Sequence, residues 1–133
     1  MKSTLAPGLT GEISHRIVSE NLVSHHHPSG PPVLASPWLL FLMEFAAYNA
    51  IRPHLDQGED SVGVGFEFQH LAPTPAGHVV VASAEVLAIE GDMVTFRVEA
   101  RDQHEAIGRG THVRAVIELE RFHRRLRRKL DGC

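Results

Sequence analysis

From Val62 onward, apolar and polar positions alternate. Val62, Val64, Phe66 and Phe68 interleave with small or polar residues as far as His70, and Gly77 to Ile89 is rich in Val and Ala. Met93 to Ala100 sets Val94, Phe96 and Val98 against Met93, Thr95, Arg97 and Glu99. Ile107 to Glu120 makes a last long stretch, loosened at its start by Gly108 and Gly110. A period of two predicts strands. Between them lie turn formers, Glu90-Gly91-Asp92 with the glycine a hairpin wants, and Asp102-Gln-His-Glu105. Connections this short imply antiparallel pairing.

The earlier half of the chain has a different period. Trp38, Phe41, Leu42, Phe45, Ala46, Tyr48 and Ile51 wrap most of a helix circumference, which predicts a helix buried on more than one side. Ser36-Pro37 supplies its start, with serine as N-cap and proline as first helical residue, and Pro53 its end. Gly11 to Val23 alternates imperfectly and reads as an edge strand. Ser24-His-His-His-Pro-Ser-Gly-Pro-Pro32 is a loop that could close over a site as a lid. Residues 121–130 form a short basic helix, with Phe122, Leu126 and Leu130 on one stripe. Residues 1–10 read as a flexible arm and 11–133 as a single domain. The class is α+β: a sheet that curls around one hydrophobic helix buries both.

At 133 residues, one core is expected. No apolar run is long enough to span a bilayer, since the longest, Pro37 to Met43, is stopped by Glu44. The N-terminus lacks the apolar core of a signal peptide, and the single cysteine, Cys133, forms no internal disulfide framework. A cytoplasmic location is the expectation. Charge is uneven: residues 1–120 carry seven basic and fifteen acidic side chains, a net of −8, and residues 121–133 carry a net of +5. The basic tail either contacts phosphates or solvates a helix face packed through Phe122 and Leu126; the second is favoured. An acidic body without an aromatic platform argues against nucleic-acid binding.

Three residues at the edges of apolar elements carry candidate chemistry. Ser36 opens the helix, Glu44 interrupts its apolar run, and His70 ends a strand. A carboxylate in such a run is costly unless paired or used. Hydroxyl, carboxylate and imidazole together are the parts of an acyl-transfer site. For each there is a plainer account: capping for Ser36, an ion pair with an arginine such as Arg114 for Glu44, an ordinary strand-end histidine for His70. Ser36 and Glu44 are eight residues apart, about 12 Å along a helix. They meet only if residues 36–39 are not helical or if two subunits share the site. Gly63 and Gly65 either relieve crowding on a curved sheet or let a ligand approach the backbone. His112 and Arg114 share one face of the last strand by period two. His25, His26 and His27 are adjacent, with no Cys or acid at ligand spacing, so no metal is expected.

Three spaced segments resemble a known family: Ala35-Ser-Pro-Trp-Leu-Leu-Phe-Leu-Met-Glu-Phe-Ala47; His70 followed by Pro73-Thr-Pro-Ala-Gly77; and Ile107-Gly-Arg-Gly-Thr-His-Val-Arg-Ala-Val116. Over roughly residues 33–125 the chain resembles hotdog-fold thioesterases of the fluoroacetyl-CoA thioesterase type. The resemblance implies a hotdog fold and hydrolysis of a small acyl-CoA thioester, with coenzyme A as part of the substrate and no cofactor. It implies a catalytic hydroxyl at Ser36, where the family usually has threonine, an acid at Glu44 and a histidine at His70. Gly63, Arg114 and Trp38 fall at substrate-binding places. It further implies a homodimer with sites between subunits, the dimers pairing further into tetramers or not, and no membrane partner. In the chemistry so implied, His70 takes the proton of water or of Ser36 while Glu44 orients the imidazole, or Glu44 itself attacks. Oxyanion donors would be backbone N–H groups between Ser36 and Trp38. Two rivals stand beside hydrolysis: an enoyl-CoA hydratase or dehydratase, and a module that binds acyl-CoA without turning it over.

Overall fold

The computed structural model describes residues 1–132; Cys133 lies outside the described residues. Five strands form one antiparallel sheet in the order β1-β3-β4-β5-β2: β1 Thr10–Arg16, β2 Glu59–His70, β3 Val79–Glu90, β4 Met93–Arg101 and β5 Ala106–Glu118. The alternation from Val62 onward becomes four of these strands. The register slips at Val64 in β2, at Leu87 in β3 and at Ile107 in β5, opposite Ala100 and Arg101 of β4. Each extra residue adds local bend and twist, and the sheet curls accordingly.

The concave side holds helix α2, Ser36–Ile51. Leu39, Leu42, Met43, Ala46, Ala47, Ala50 and Ile51 recur at helical spacing and are buried. They pack against Val80, Ala82, Ala84, Val86, Val94, Phe96, Val98 and Ala100 of β3 and β4. Each large side chain removed from water here contributes about 1.5–3 kcal/mol. The alanines let the backbones close up: a Cβ on Gly11 of β1 would collide with the backbone of Ala46 and Ala50, so only glycine fits. This is the hotdog arrangement that the resemblance implies.

Several boundaries differ from expectation. Helix α2 ends at Ile51, and Pro53 sits inside a 3-10 turn, Arg52–His54, just beyond it. β1 stops at Arg16, because Asn21 pulls the chain into a turn: its Oδ1 accepts the Val18 N–H at 2.9 Å and bonds His15 Nε2 at 3.1 Å. The histidine loop begins with one helical turn, α1, Val23–His26. Residues 1–9 lie along the body, with Leu5 and Leu9 packed on the core and the Gly8 N–H donating to the Val86 carbonyl. The basic helix α3, Leu119–Leu130, leaves Phe122, Leu126 and Leu130 exposed.

One difference bears on the site. Helix α2 is covered on one side only. Trp38, Phe41, Phe45 and Tyr48 form an edge-to-face ladder along its outer flank, with centroids 5.8, 5.8 and 6.1 Å apart. Phe41 and Phe45 are 44% and 38% exposed, well above what a helix buried on more than one side would show.

Candidate active site

Helix α2 starts one residue earlier than its cap signal suggested. The N-cap is Ala35, with no side-chain cap bond, and Ser36 is the first helical residue. Its hydroxyl is therefore free of the capping role and lies 2.8 Å from His70 Nδ1. The meeting depends on two tethers. The Leu34 N–H donates to the Thr74 carbonyl at 2.8 Å, holding the segment before the helix against the loop after His70, and the Ala35 N–H donates to the Asn21 carbonyl at 2.9 Å. Thr74 is itself fixed: its hydroxyl donates to Asp102 Oδ2 at 3.0 Å, while Asp102 Oδ1 accepts the amides of His104 and Glu105. Pro73-Thr-Pro-Ala-Gly77 is thus a brace for the Ser36–His70 pair.

Burial holds the His70 imidazole below the ordinary histidine value, partly offset by the backbone of Ala72. Its Nε2 is buried and meets no partner among the described residues. An orphaned ring nitrogen of this kind calls for a partner beyond the chain.

Glu44 stands two turns further along α2 and belongs to a second cluster. Arg114 Nη1 donates to Glu44 Oε2 at 3.2 Å and contacts His112 Nε2 at 3.1 Å. Arg114 Nε and Nη2 donate to the hydroxyl and carbonyl of Ser61 at 2.9 and 3.0 Å. Arg114 also lies over the Tyr48 ring, 5.4 Å from its centroid. His112 stacks on Phe66 at 4.2 Å and Nδ1 bonds the Gly65 carbonyl at 2.8 Å. Burial is the chief cause that lowers the His112 pKa. Gly63 faces Arg114 across the β2–β5 ladder, and a Cβ there would run into the Glu44 carboxylate. Its missing side chain makes room for Glu44.

The expected trio therefore falls into two groups. Ser36 and His70 come together; Glu44 joins Arg114, as the ion-pair reading anticipated, with Gly63 beside it. Residues 36–39 are helical, so within one chain the first route to a compact triad is closed. Trp38 is part of the first turn and of the aromatic ladder. Its amide already donates to the Ala35 carbonyl, as does that of Leu39, and its ring packs on the core and on Phe41. Pro37 has no N–H, which leaves Ser36's own amide as the first-turn donor. Surface concavities lie away from Ser36 and His70, on α3, between the turn before β2 and the start of α3, and on the sheet. No cluster of metal-ligating side chains occurs among the described residues, and none of their helices is long and apolar enough to cross a membrane.

The profile of the family FlK, fluoroacetyl-CoA-specific thioesterase, matches residues 17–120. The chain belongs to this family. It is 40% identical over 113 residues to the fluoroacetyl-CoA thioesterase of Streptantibioticus cattleyicolor, covering 80% of this chain and 81% of that protein. A threonine-to-serine mutant of FlK solved in complex with acetyl-CoA superposes with a TM-score of 0.87 at 36% identity, covering 94% of this chain and 98% of that one. A thioesterase superfamily member from Thermus thermophilus superposes at 0.88 with 27% identity, covering 98% and 99%. Membership places the chain among thioester hydrolases of hotdog fold. Within the FlK frame, sequence reasoning placed His112 beside Arg114 on one face of β5 without giving it a role, and it did not single out Thr74, Asp102 or Asn21. Asp102 and His112 stood in recognisable places, a turn and the inner face of β5. The pairing of Thr74 with Asp102 spans loops and leaves no local pattern.

Proposed function

We propose that this protein hydrolyses a small acyl-CoA thioester, with Ser36 as nucleophile and His70 as its base. The Ser36–His70 hydrogen bond of 2.8 Å is the observation that carries the reading. Ser36 Oγ attacks the thioester carbonyl; its proton passes to His70, the C–S bond breaks, and the thiolate of coenzyme A leaves and takes that proton. Water then attacks the acyl-serine, again with His70 as base, and releases the free acid and the serine hydroxyl. The Ser36 amide, at the positive end of α2, is the donor for the developing oxyanion. No cofactor enters these steps.

The working unit is a side-by-side homodimer. The free edge of β2 and the half-exposed Phe41 and Phe45 support this, since both are surfaces that a second copy would cover. Two-fold pairing of this kind runs the α2 helices antiparallel. It carries Ser36 and His70 of one subunit toward Glu44 of the partner subunit, and supplies the partner that His70 Nε2 lacks. Glu44 then orients the imidazole and stabilises its cation. Gly63 and Arg114 act in this reading by placing Glu44. The enzyme works in the cytoplasm.

The test is release of free thiol from acetyl-, fluoroacetyl- and propionyl-CoA by wild type and Ser36→Ala. Turnover that falls about a hundredfold or more in the folded variant supports the nucleophile. Full thiol release by Ser36→Ala favours direct attack by water, and no thiol from wild type with turnover of an enoyl-CoA favours hydration chemistry. Binding without release favours an acyl-CoA-binding module.

A further inference from the structure

His112 has no role in the reaction outlined above, yet its surroundings fix its chemistry closely. It lies on the inner face of β5, 1% exposed, between Phe66 of β2 and Phe96 of β4, which are its ladder neighbours on either side. Its two ring nitrogens meet partners of opposite kind. The Gly65 carbonyl, 2.8 Å from Nδ1, can only accept, so Nδ1 carries the proton. The Arg114 guanidinium, 3.1 Å from Nε2, can only donate, so Nε2 is bare. A neutral Nδ1–H imidazole satisfies both contacts; an imidazolium would turn an N–H onto Arg114.

The consequence reaches Glu44. Arg114 Nη1 has two protons, one directed at Glu44 Oε2 and the other at His112 Nε2. Ser61 holds Nε and Nη2. The guanidinium is planar and is pinned at three corners, so it presents Nη1 to Glu44 in a single orientation. The charged and titratable groups around His112 are Glu44 of α2, 3.9 Å from Nε2, and Arg114 of β5, with Tyr48 of α2 and Asp60 of β2 behind the arginine. The β2 and β4 neighbours stacked on the ring, Phe66 and Phe96, are uncharged.

We propose that His112 is a positioning residue: a neutral acceptor in the Nδ1–H tautomer that locks Arg114 and through it fixes the Glu44 carboxylate for thioester hydrolysis. This rests on the hydrolase reading for its kinetic consequence but not for its tautomer. Burial reinforces the neutral state by holding the ring below the ordinary histidine value. Protonation of His112 turns an N–H onto the guanidinium and removes the acceptor for Nη1, so Arg114 loses the lock that presents it to Glu44.

The first arm of the experiment is a long-range 1H–15N spectrum of ring-labelled wild type between about pH 5 and 8, with the resonance assigned by its loss in His112→Gln. The expected signal is a neutral Nδ1–H tautomer that persists below the ordinary histidine value. An Nε2–H tautomer, or an imidazolium at neutral pH, overturns the proposal whatever the enzyme's activity. The second arm compares kinetics of His112→Phe, which keeps the stack and removes both polar contacts, with His112→Gln, whose amide oxygen can accept from Arg114. The expected result is a fall of about tenfold or more in kcat for the phenylalanine variant with KM within about twofold, and recovery of most of it by glutamine. Equal losses in both, or none in either, overturn it. If wild type releases no thiol, the spectrum still decides the tautomer and the hydrolase reading fails separately.

Discussion

Ser36 and Glu44 sit on one helix, eight residues apart, and are held in opposite ways. Ser36 is exposed at the first turn and meets His70 through one hydrogen bond, braced from behind by Thr74 and Asn21. Glu44 faces an arginine that is 5% exposed and is tied by Ser61, His112 and the Tyr48 ring. A group that must change its bonding in a reaction is best held by few contacts; a group that only has to stay in place is best held by many. The two clusters therefore separate reacting from positioning residues, and substitutions should separate activity from stability along the same line.

The largest effect is expected at Arg114. Arg114→Ala removes the hub of the buried cluster and leaves the Ser61 carbonyl without its donor. A loss of about 3 kcal/mol in urea unfolding is expected, together with loss of turnover. Glu44 is one-third exposed and regains water, which keeps the cost below that of stranding a fully buried charge. A drop under about 1 kcal/mol would mean that the cluster holds little, and would erase the contrast with Ser36.

Ser36→Ala should show the reverse. Its effect on thiol release is large, yet its unfolding free energy should stay within about 0.5 kcal/mol of wild type. The hydroxyl makes no cap bond. A fall of about 1 kcal/mol, the usual cost of a lost N-cap, would return Ser36 to the capping role.

Gly63→Ala tests the boundary between the clusters. The new Cβ meets Glu44 Oε2, the far end of a flexible side chain, and comes 3.2 Å from His112 Cε1. The carboxylate swings away and the fold survives. Thiol release should fall about tenfold or more while the melting temperature moves little. Unchanged activity would mean that the place of Glu44 relative to Arg114 does not matter to the reaction.

Much of this was legible in the sequence because it is local. Alternation marked β2 and β4, richness in Val and Ala marked β3, the stretch after Gly108 and Gly110 marked β5, and the spacing of apolar residues marked α2. The cap signal at Ser36-Pro37 located the helix start to within one residue. It missed by that residue because serine's hydroxyl had a competing partner, His70, which lies 34 positions away. What sequence could not show is mostly long-range and polar. Thr74 and Asp102 pair across 28 positions, and Ser61 and Arg114 across 53. The apolar circumference of α2 was read correctly as chemistry but not as burial, since hydrophobicity alone does not say whether the sheet or a second copy covers a face. Gly63 drew attention as a glycine on a strand; only the approach of Glu44 gives the reason.

The smallest expected effect distinguishes the two clusters through their histidines. Within a single chain, burial disfavours the cation of both His70 and His112 and holds them below the ordinary value of 6.5. Above that value both rings are neutral in folded and unfolded chains, and neither affects stability. As pH falls through it, the unfolded chain takes up protons first, so stability declines until the depressed folded values are reached and then levels off. His112 is almost wholly enclosed, with Arg114 adding repulsion, whereas His70 is only half-buried beside an exposed hydroxyl. Replacing His112 with glutamine should therefore flatten the fall in melting temperature between about pH 7 and 5 more than replacing His70 does. Equal flattening would show the two rings to be equally shielded from protons, and the distinction between an open reacting pair and a closed positioning cluster would then rest on hydrogen bonds alone.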